Sequence, residues 1–561
     1  MNKKNCSFVV FFSFLIFVIS GFYFNSLFAQ DVGSNEPGAT SQRLKDTLKL
    51  KDLQQQLEQD SREPQEDVID GELKLDDQAV TTDQVEVVVK KITTDSSKLL
   101  SQSQIQKVIS KYEGKKLTIK DLSKVVDEIN ALYKAEGHIG AKAFLPPQKI
   151  NKGIIKIRLI ESRVGEVFIE ENKYTRDSFF QDRITLSEEE ILDLKKLEEQ
   201  LFYFNQIYDV KARAVLKPGD QFATTNYVLK IQEPKKYSAM LFGDNAGRDD
   251  IGLLRGGVVI SDSSLFGHRD KLTVGVVLAE GTEDKFASYI VPIGTKGTKV
   301  SVSYDYSEIE IKSGTLKPLN VTGASTNLGF FVTHPVVVNK RWLTSVFSGF
   351  NTKRSITQFS GFTALARKVR TINYGLNSRF IGKRSYYTLS NTFTHGFRAF
   401  RGNDSFAKYN GDLNAMFYSQ SNKTLLARVQ LQLANHSFLP ASEQFQLGGM
   451  GSVRGYASGV VIGDNGYLLS AEYSVPLISI KKKIPVEVRG SIFVDHGALV
   501  KSKRSSVSSD DYGSLTGAGI GLTINITEKF TSKFIMGVPL ESYQGEDTSK
   551  PRFHFEVQYN F

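Results

Sequence analysis

The sequence predicts a closed antiparallel β-barrel lying in a membrane, of about 16 strands, preceded by two small α+β units and an N-terminal amphipathic helix. Three observations carry that prediction. Segments from about Tyr237 to Phe561 alternate strictly between apolar and polar residues, an apolar leader opens the chain, and the chain ends on an aromatic residue. A mean hydropathy of −0.23, with no later apolar run near ~20 residues, excludes a bundle of membrane helices. The 561 residues include 38 Phe, 22 Tyr and 45 Gly against 1 Trp and 5 Met, a composition suited to abundant β-structure.

Taken in order, the chain begins as a secretory signal. Lys3 and Lys4 give a basic start, Phe8 to Phe24 an apolar core, and Leu27-Phe28-Ala29 before Gln30 a cleavage site, so residues 1–29 read as a signal peptide. A retained inner-membrane anchor is the alternative. The only cysteine, Cys6, falls in this leader, so the mature chain is expected to lack disulfides, thiolate chemistry and Cys-ligated metals. Residues 30–62 contain SQRLKDTLKLKDLQQQLEQD (41–60), where Leu44, Leu48, Leu50, Leu53 and Leu57 lie roughly along one side of a helix. One such helix is marginal in water and should dock against the rest of the chain. Residues 63–82, with Pro64, Gly71 and many acids, read as a linker.

Two compact units follow, at 83–162 and 163–234. In the first, QVEVVVKKI (84–92) is a strand and TIKDLSKVVDEINALYKAEG (118–137) a helix. Thr118 and Asp121 form a capping box, Leu122, Val125, Val126, Ile129, Leu132 and Tyr133 one apolar face, and Gly137 a stop. The strands HIGAKAFLP and GIIKIRLIES complete a β-α-α-β-β unit. The second unit repeats the plan: strand RVGEVFIEE (163–171), helix SEEEILDLKKLEEQLFYF (187–204) capped by Ser187 and Glu190, then strands VKARAVL and NYVLKIQE.

From 235 to 561 the period falls to two. Val300, Val302, Tyr304 and Tyr306 alternate with Ser301, Ser303, Asp305 and Ser307; Tyr467, Leu469, Ala471, Tyr473 and Val475 alternate with Leu468, Ser470, Glu472 and Ser474. Repeats of roughly ten residues with one apolar and one polar face suit strands between lipid and a watery lumen. Such a sheet must close, because an open edge in lipid leaves amides unpaired. A soluble β-sandwich also alternates, but the long strands, the leader and the aromatic end favour the membrane.

The chemical motifs exclude more than they assign. GGMGSVRGY (448–456) has Arg454 where a dinucleotide loop needs its last glycine, and it lacks the Lys-Ser/Thr ending of a phosphate loop. GTKGTK (294–299) fails the same test, and GAGIG (517–521) lies in strand context. The seven histidines are scattered, and the net charge of +10 (71 basic, 61 acidic) is spread along the chain rather than gathered into a nucleic-acid-binding stripe. No cofactor, no metal, no nucleic acid and no enzymatic activity is expected.

These pieces together resemble the outer-membrane transporters of two-partner secretion, the TpsB branch of the Omp85 superfamily. AEGHIGAKAFLPPQ (135–148) is similar to the end of the family's first POTRA domain. GDNAGRDDIGLLRGGVVISDSSLFGHRDKLTV (243–274) is similar to its first barrel hairpin, QFQLGGMGSVRGY to its loop-six motif, and IFVDHG (492–497) to its strand motif F-x-D-x-G. His138 and Gly140 depart from the usual residues near the POTRA end. The resemblance implies a barrel in the outer membrane of a Gram-negative bacterium, two periplasmic POTRA domains (83–162 and 163–234) and a plug helix. It implies ATP-independent export of an unfolded, β-helical exoprotein with an N-terminal secretion domain. An Omp85-type assembly or insertion factor is the alternative, although such proteins generally carry more POTRA units. A diffusion porin or an enzyme built inside a barrel are remoter readings.

The resemblance also implies roles for residues. Loop six (Val453, Arg454, Gly455, Tyr456) should fold into the pore and meet the wall motif Phe493, Asp495 and Gly497. Parity supports this independently: in PVEVRGSIFVDHG the residues Glu487, Arg489, Ser491, Phe493 and Asp495 share a face, and that polar face must be the lumen. Asp495 is then a natural partner for Arg454. Client binding by β-augmentation is expected on the 138–145 strand, through Ile139, Ala141, Ala143, Phe144 and Leu145, and the helix face beside it. The last strand, Phe553, Phe555, Val557, Tyr559 and Phe561, is the expected signal for the barrel-assembly machinery, with outer-membrane lipid as the remaining partner.

Overall fold

Period-two alternation builds the larger part of the molecule as one sheet closed on itself. The computed structural model describes residues 37, 39, 40, 42, 69–70 and 86–561, except 137, 139–140, 186–190, 192, 222, 315, 398–404, 436–438, 501–511 and 544–549. Sixteen antiparallel strands pair in sequence order, from Tyr237–Asp244 to Arg552–Asn560. The first and last close the ring through the pairs from Met240–Asn560 to Asp244–Glu556. Asn245 prolongs this seam with its side chain, donating from Nδ2 to Phe553 O at 2.8 Å and accepting the Phe555 N–H at 2.8 Å.

The faces follow the sequence parity. Val302, Tyr304, Ile492 and Val494 stand exposed on the outer wall, while Asp495 and Ser307 are buried on the inner one. Short turns (263–270, 294–297, 339–341, 382–384, 419–423, 481–485 and 527–529) lie at one end of the barrel, and the long 435–464 loop lies at the other. Beside the short turns runs a row of outward rings: Trp342 to Phe380 at 4.6 Å, Phe380 to Tyr387 at 5.7 Å and Tyr387 to Phe417 at 5.6 Å between centroids. A belt of rings at that height, with the amphipathic Trp342 and Tyr387 in it, fits a membrane interface.

The first unit has the sheet order Lys91–Thr94, Ile154–Glu161, Ala141–Phe144, packed against helices Gln102–Ile109 and Ile119–Ala135. The single strand expected over 84–92 is divided. Val87–Val88 pairs with Lys116–Leu117, and the chain then changes partner so that Lys91–Thr94 pairs with 154–157. The longer helix buries Leu122, Val125, Ile129 and Tyr133, and Thr118 and Asp121 cap it reciprocally. Hydrogen bonds from Lys124 and from the Thr118 backbone hold the Asp121 carboxyl down at about 2. Its contribution is therefore present above the ordinary aspartate range and is lost as pH falls towards 2.

The second unit has the order Ile69–Asp70, Lys211–Pro218, Thr224–Gln232, Arg163–Glu170. Residues 69–70, read as linker, thus form a short strand in parallel with Ala214 and Val215. The helix expected over 187–204 instead spans Leu194–Ile207 and is capped by Asp193, whose carboxylate accepts the Lys196 N–H at 3.1 Å. Ile191 is in an antiparallel bridge to Arg163, outside the helix; Ser187 and Glu190 lie outside the described residues. A short helix, Asp177–Gln181, supplies Phe179 and Phe180 to an aromatic core with Phe204 and Tyr208. Residues 1–29, expected to be a signal peptide, and all but Gln42 of the 41–60 segment also lie outside the described residues.

The second unit docks on the barrel's short turns. The buried Arg269 pairs with Asp209, Arg183 Nη2 donates to Gly294 O at 2.6 Å, and Lys299 Nζ donates to Ile207 O at 3.1 Å. Replacing Arg269 with Ala is expected to weaken this docking by about 1–3 kcal/mol. Limited proteolysis at the 233–237 junction, faster in the variant with the barrel itself intact, checks it.

Candidate functional site

The site is built from the loop that leaves the strand Thr424–Ala434 and returns as Asn465–Ile480. Instead of spreading over the barrel mouth, it folds inward as a small hairpin, Phe445–Leu447 paired with Val461–Gly463, with GGMGSVRGY at its tip. Gly455 sits at φ +106°, and a Cβ there would come 2.9 Å from Pro539 N on the wall, so both conformation and space call for glycine.

Arg454 is the centre of this tip. Its Nε donates to Asp495 Oδ2 at 2.7 Å, its Nη2 to Oδ1 at 2.8 Å, and its backbone N–H to Oδ2 at 3.1 Å. Nη1 donates to Glu472 on the neighbouring strand. The guanidinium carbon lies 3.5 Å from the centroid of the Phe493 ring, a cation–π contact. Ser470 Oγ donates to Asp495 Oδ1 at 2.7 Å. Asp495 is fully buried, so these bonds stand in for its lost water. The structure thus brings Arg454, Phe493 and Asp495 together and adds Glu472 and Ser470, which parity placed on the inner face but which were given no role.

Val453 and Tyr456 are buried with Leu447, Val461, Leu468, Leu499, Leu515 and Tyr543. The Tyr456 hydroxyl lies 2.9 Å from Thr516 O and 2.8 Å from Glu541 O, and it accepts the Glu541 N–H at 3.1 Å. Gly497 leaves room for Leu447, whose Cδ2 would come 2.7 Å from an added Cβ. Two wall glycines matter as much. A Cβ on Gly517 would come 2.0 Å from Arg454 O, and one on Gly537 would come 2.6 Å from Gly455 N.

A second anchor holds the other end of the loop. The buried Glu443 meets Lys353 Nζ at 2.7 Å and Lys408 Nζ at 2.9 Å, from two different wall strands. Lys408 Nζ and Gln432 Nε2 also donate to Glu443 O, at 2.8 and 3.0 Å. Glu443→Gln keeps the shape and removes the charge, and is expected to loosen the loop base by about 1–3 kcal/mol. Labelling of a cysteine placed at Gln446 in cells should quicken while the barrel stays folded.

The N-terminal segment reaches the same lumen. Ala39 O accepts from Gln446 Nε2 at 3.2 Å, and Gly323 on the inner wall leaves room for Pro37, whose Cγ would lie 2.5 Å from a Cβ there. Residues 37, 39, 40 and 42 are helical.

In the first unit, Ala141, Ala143 and Phe144 form an outer strand paired on one side only with 158–161, and Leu145 packs against the core; Ile139 lies outside the described residues. That open edge is not bare. Asn130 of the helix accepts the Ala143 N–H at 2.6 Å and donates to Ala143 O at 3.2 Å. The second unit has a like pair of bonds at the start of an inner strand, ahead of the part that 69–70 covers: Asn205 accepts the Ala212 N–H at 2.7 Å and donates to Ala212 O at 2.9 Å. Phe553, Phe555, Val557 and Tyr559 face outward on the last strand, with Phe561 just beyond it. Among the described residues no three His, Cys, Asp or Glu side chains are placed to hold a metal ion.

Comparison with known proteins places this geometry. Residues 224–524 match the family model of the haemolysin secretion/activation protein ShlB/FhaC/HecB, and residues 87–162 match that of the ShlB-type POTRA domain. The chain is 24% identical over 463 residues to the heme/hemopexin transporter protein HuxB of Haemophilus influenzae, covering 78% of this chain and 80% of that one. It is 21% identical over 468 residues to the outer membrane transporter CdiB of Dickeya dadantii, with the same 78% and 80% coverage. The solved structure of CdiB from Escherichia coli superposes with a TM-score of 0.66 at 20% identity, covering 94% of this chain and 99% of that one.

Proposed function

The chain belongs to the haemolysin secretion/activation protein family ShlB/FhaC/HecB, and from that premise we propose how it moves its cargo. It is an outer-membrane transporter that exports a partner exoprotein, with its POTRA domain in the periplasm. The finer reading is that the partner is an unfolded β-helical exoprotein with an N-terminal secretion domain, and that its folding outside makes passage irreversible. No nucleotide motif accompanies the chain, which fits a drive that lies with the cargo.

One observation supports a gated conduit above all. Loop six crosses the lumen held by side chains (Arg454, Glu443 and Tyr456) and not by the hydrogen-bond ladder of the wall. It can therefore leave the path and return to its pinned place in each export cycle, needing both positions, while all sixteen strands stay paired, as a sheet in lipid requires. The segment around Ala39 would leave with it as the plug. The 141–145 edge is the proposed docking strand for the client, which must first displace Asn130 from Ala143. The second α+β unit, docked below the pore, serves as the second POTRA domain in this reading, and the outward aromatic strand 553–561 as the assembly signal.

The test is deletion in cells that also make the partner. Loss of the partner from the surface, with resident barrel proteins at wild-type levels, is the expected result. A general fall in resident barrel proteins would overturn it in favour of an assembly factor.

A further inference from the structure

The outer wall carries a groove that export does not explain. It spans the last five strands, has a volume of about 880 Å³ and is lined almost wholly by apolar side chains, among them Leu477, Ile492, Ile520, Phe534 and Phe553. Its depth comes from Gly490, the outward residue between Val488 and Ile492; an added Cβ there would come 3.0 Å from Leu477 Cδ1, which leans over it. A smooth barrel wall touches lipid chains in passing, whereas a shallow groove adds apolar contact along one side of a chain lying in it.

Directly below the groove the chain turns through Lys481-Lys482-Lys483. All three lysines are exposed, and the turn 481–485 contains no carboxylate. The nearest carboxylate in sequence, Glu487, lies on the inward parity and bonds Arg489 at 2.9 Å. The turn is at the end where the second unit docks, so it faces the periplasm. From Lys483 to Gly490 is seven steps along the chain, the last four of them within the strand that starts at Val486. Four strand steps span roughly 13 Å, close to one leaflet's hydrocarbon depth.

We propose that this groove and the triple-lysine turn form a binding site for an anionic glycerophospholipid of the periplasmic leaflet, with an acyl chain over Gly490 and the phosphate at Lys481–Lys483. The charge pattern selects the headgroup: the neighbouring turn, bonded through Thr527 N–H to Pro485 O, adds Glu528 but also Lys529, so the patch keeps a net positive charge and attracts an anionic phosphate well above a zwitterionic one. The apolar lining selects the chain and excludes a soluble anion as the occupant. This reading depends on the barrel and its orientation and not on the export mechanism.

The full-length protein, delipidated in detergent, is exposed to equimolar phosphatidylglycerol and phosphatidylcholine, and native mass spectrometry counts the lipid retained. The wild type is expected to retain phosphatidylglycerol preferentially. K481Q/K482Q/K483Q should lower that retention about tenfold or more. Gly490→Phe should lower retention of both lipids, by filling the groove. Unboiled electrophoretic mobility, which reports a closed barrel, should match wild type in both variants. Equal retention of the two lipids by the wild type, or unchanged phosphatidylglycerol retention in either folded variant, would overturn the proposal.

Discussion

Arg454→Ala is expected to insert and fold as a barrel while exporting little or no partner. Asp495 is fully buried, and among the described residues the Arg454 guanidinium is the cation bonded to it. Removing that group strands the carboxylate, a change that costs about 3–5 kcal/mol for a buried pair. The cost falls on the pinned loop and not on the wall, because the wall's ladder does not pass through Arg454. At 1.4 kcal/mol for each tenfold, the pinned state loses roughly two to three and a half orders of magnitude in population. Arg454→Lys should recover only part of this, since an ammonium cannot reproduce the two parallel bonds to Asp495. The measurements are surface display of the partner and protease cleavage within 448–460. Normal export by the Ala variant would remove loop pinning from the mechanism.

Gly517→Ala should do nearly the same damage with one methyl group and no change of charge. The new carbon would sit 2.0 Å from Arg454 O, where no real Cβ contact lies, so the loop backbone must move off the wall. Asp495 and Gly517 are cross-strand neighbours, and the displaced backbone takes the guanidinium with it. If both changes act by releasing the same tip, the double variant should be no worse than either alone. Additive losses would show that Gly517 has a separate role. A barrel that fails to fold with Gly517→Ala would assign the residue to assembly instead.

The contrast between these residues shows what a sequence discloses. Strand parity alone put Asp495 and Glu472 on the inner face, because lipid on one side and water on the other leave only two choices per residue. Motif resemblance paired Arg454 with Asp495. Gly517 stood in GAGIG, where it looked like an ordinary strand glycine; its purpose depends on a loop about sixty residues earlier. Glu443 was silent for the same reason, since Lys353 and Lys408 approach it only after the barrel closes. The start of the Leu194–Ile207 helix was misplaced because SEEE copies a capping signal, while Ile191 is engaged by Arg163. Local patterns that depend on neighbours in the chain were legible, and contacts through space were not.

The asparagine on the outer strand of the first unit, and its counterpart beside the unpaired start of strand 211–218, have a consequence for solubility. An open strand edge in a crowded compartment invites pairing with other chains, and folded proteins commonly blunt such edges. Asn130 and Asn205 do this with a carboxamide that mimics one residue of a neighbouring strand. A side chain can swing aside for a correct partner, whereas a proline or a bulge would spoil the edge permanently. The edge is therefore protected against aggregation and still available for recognition.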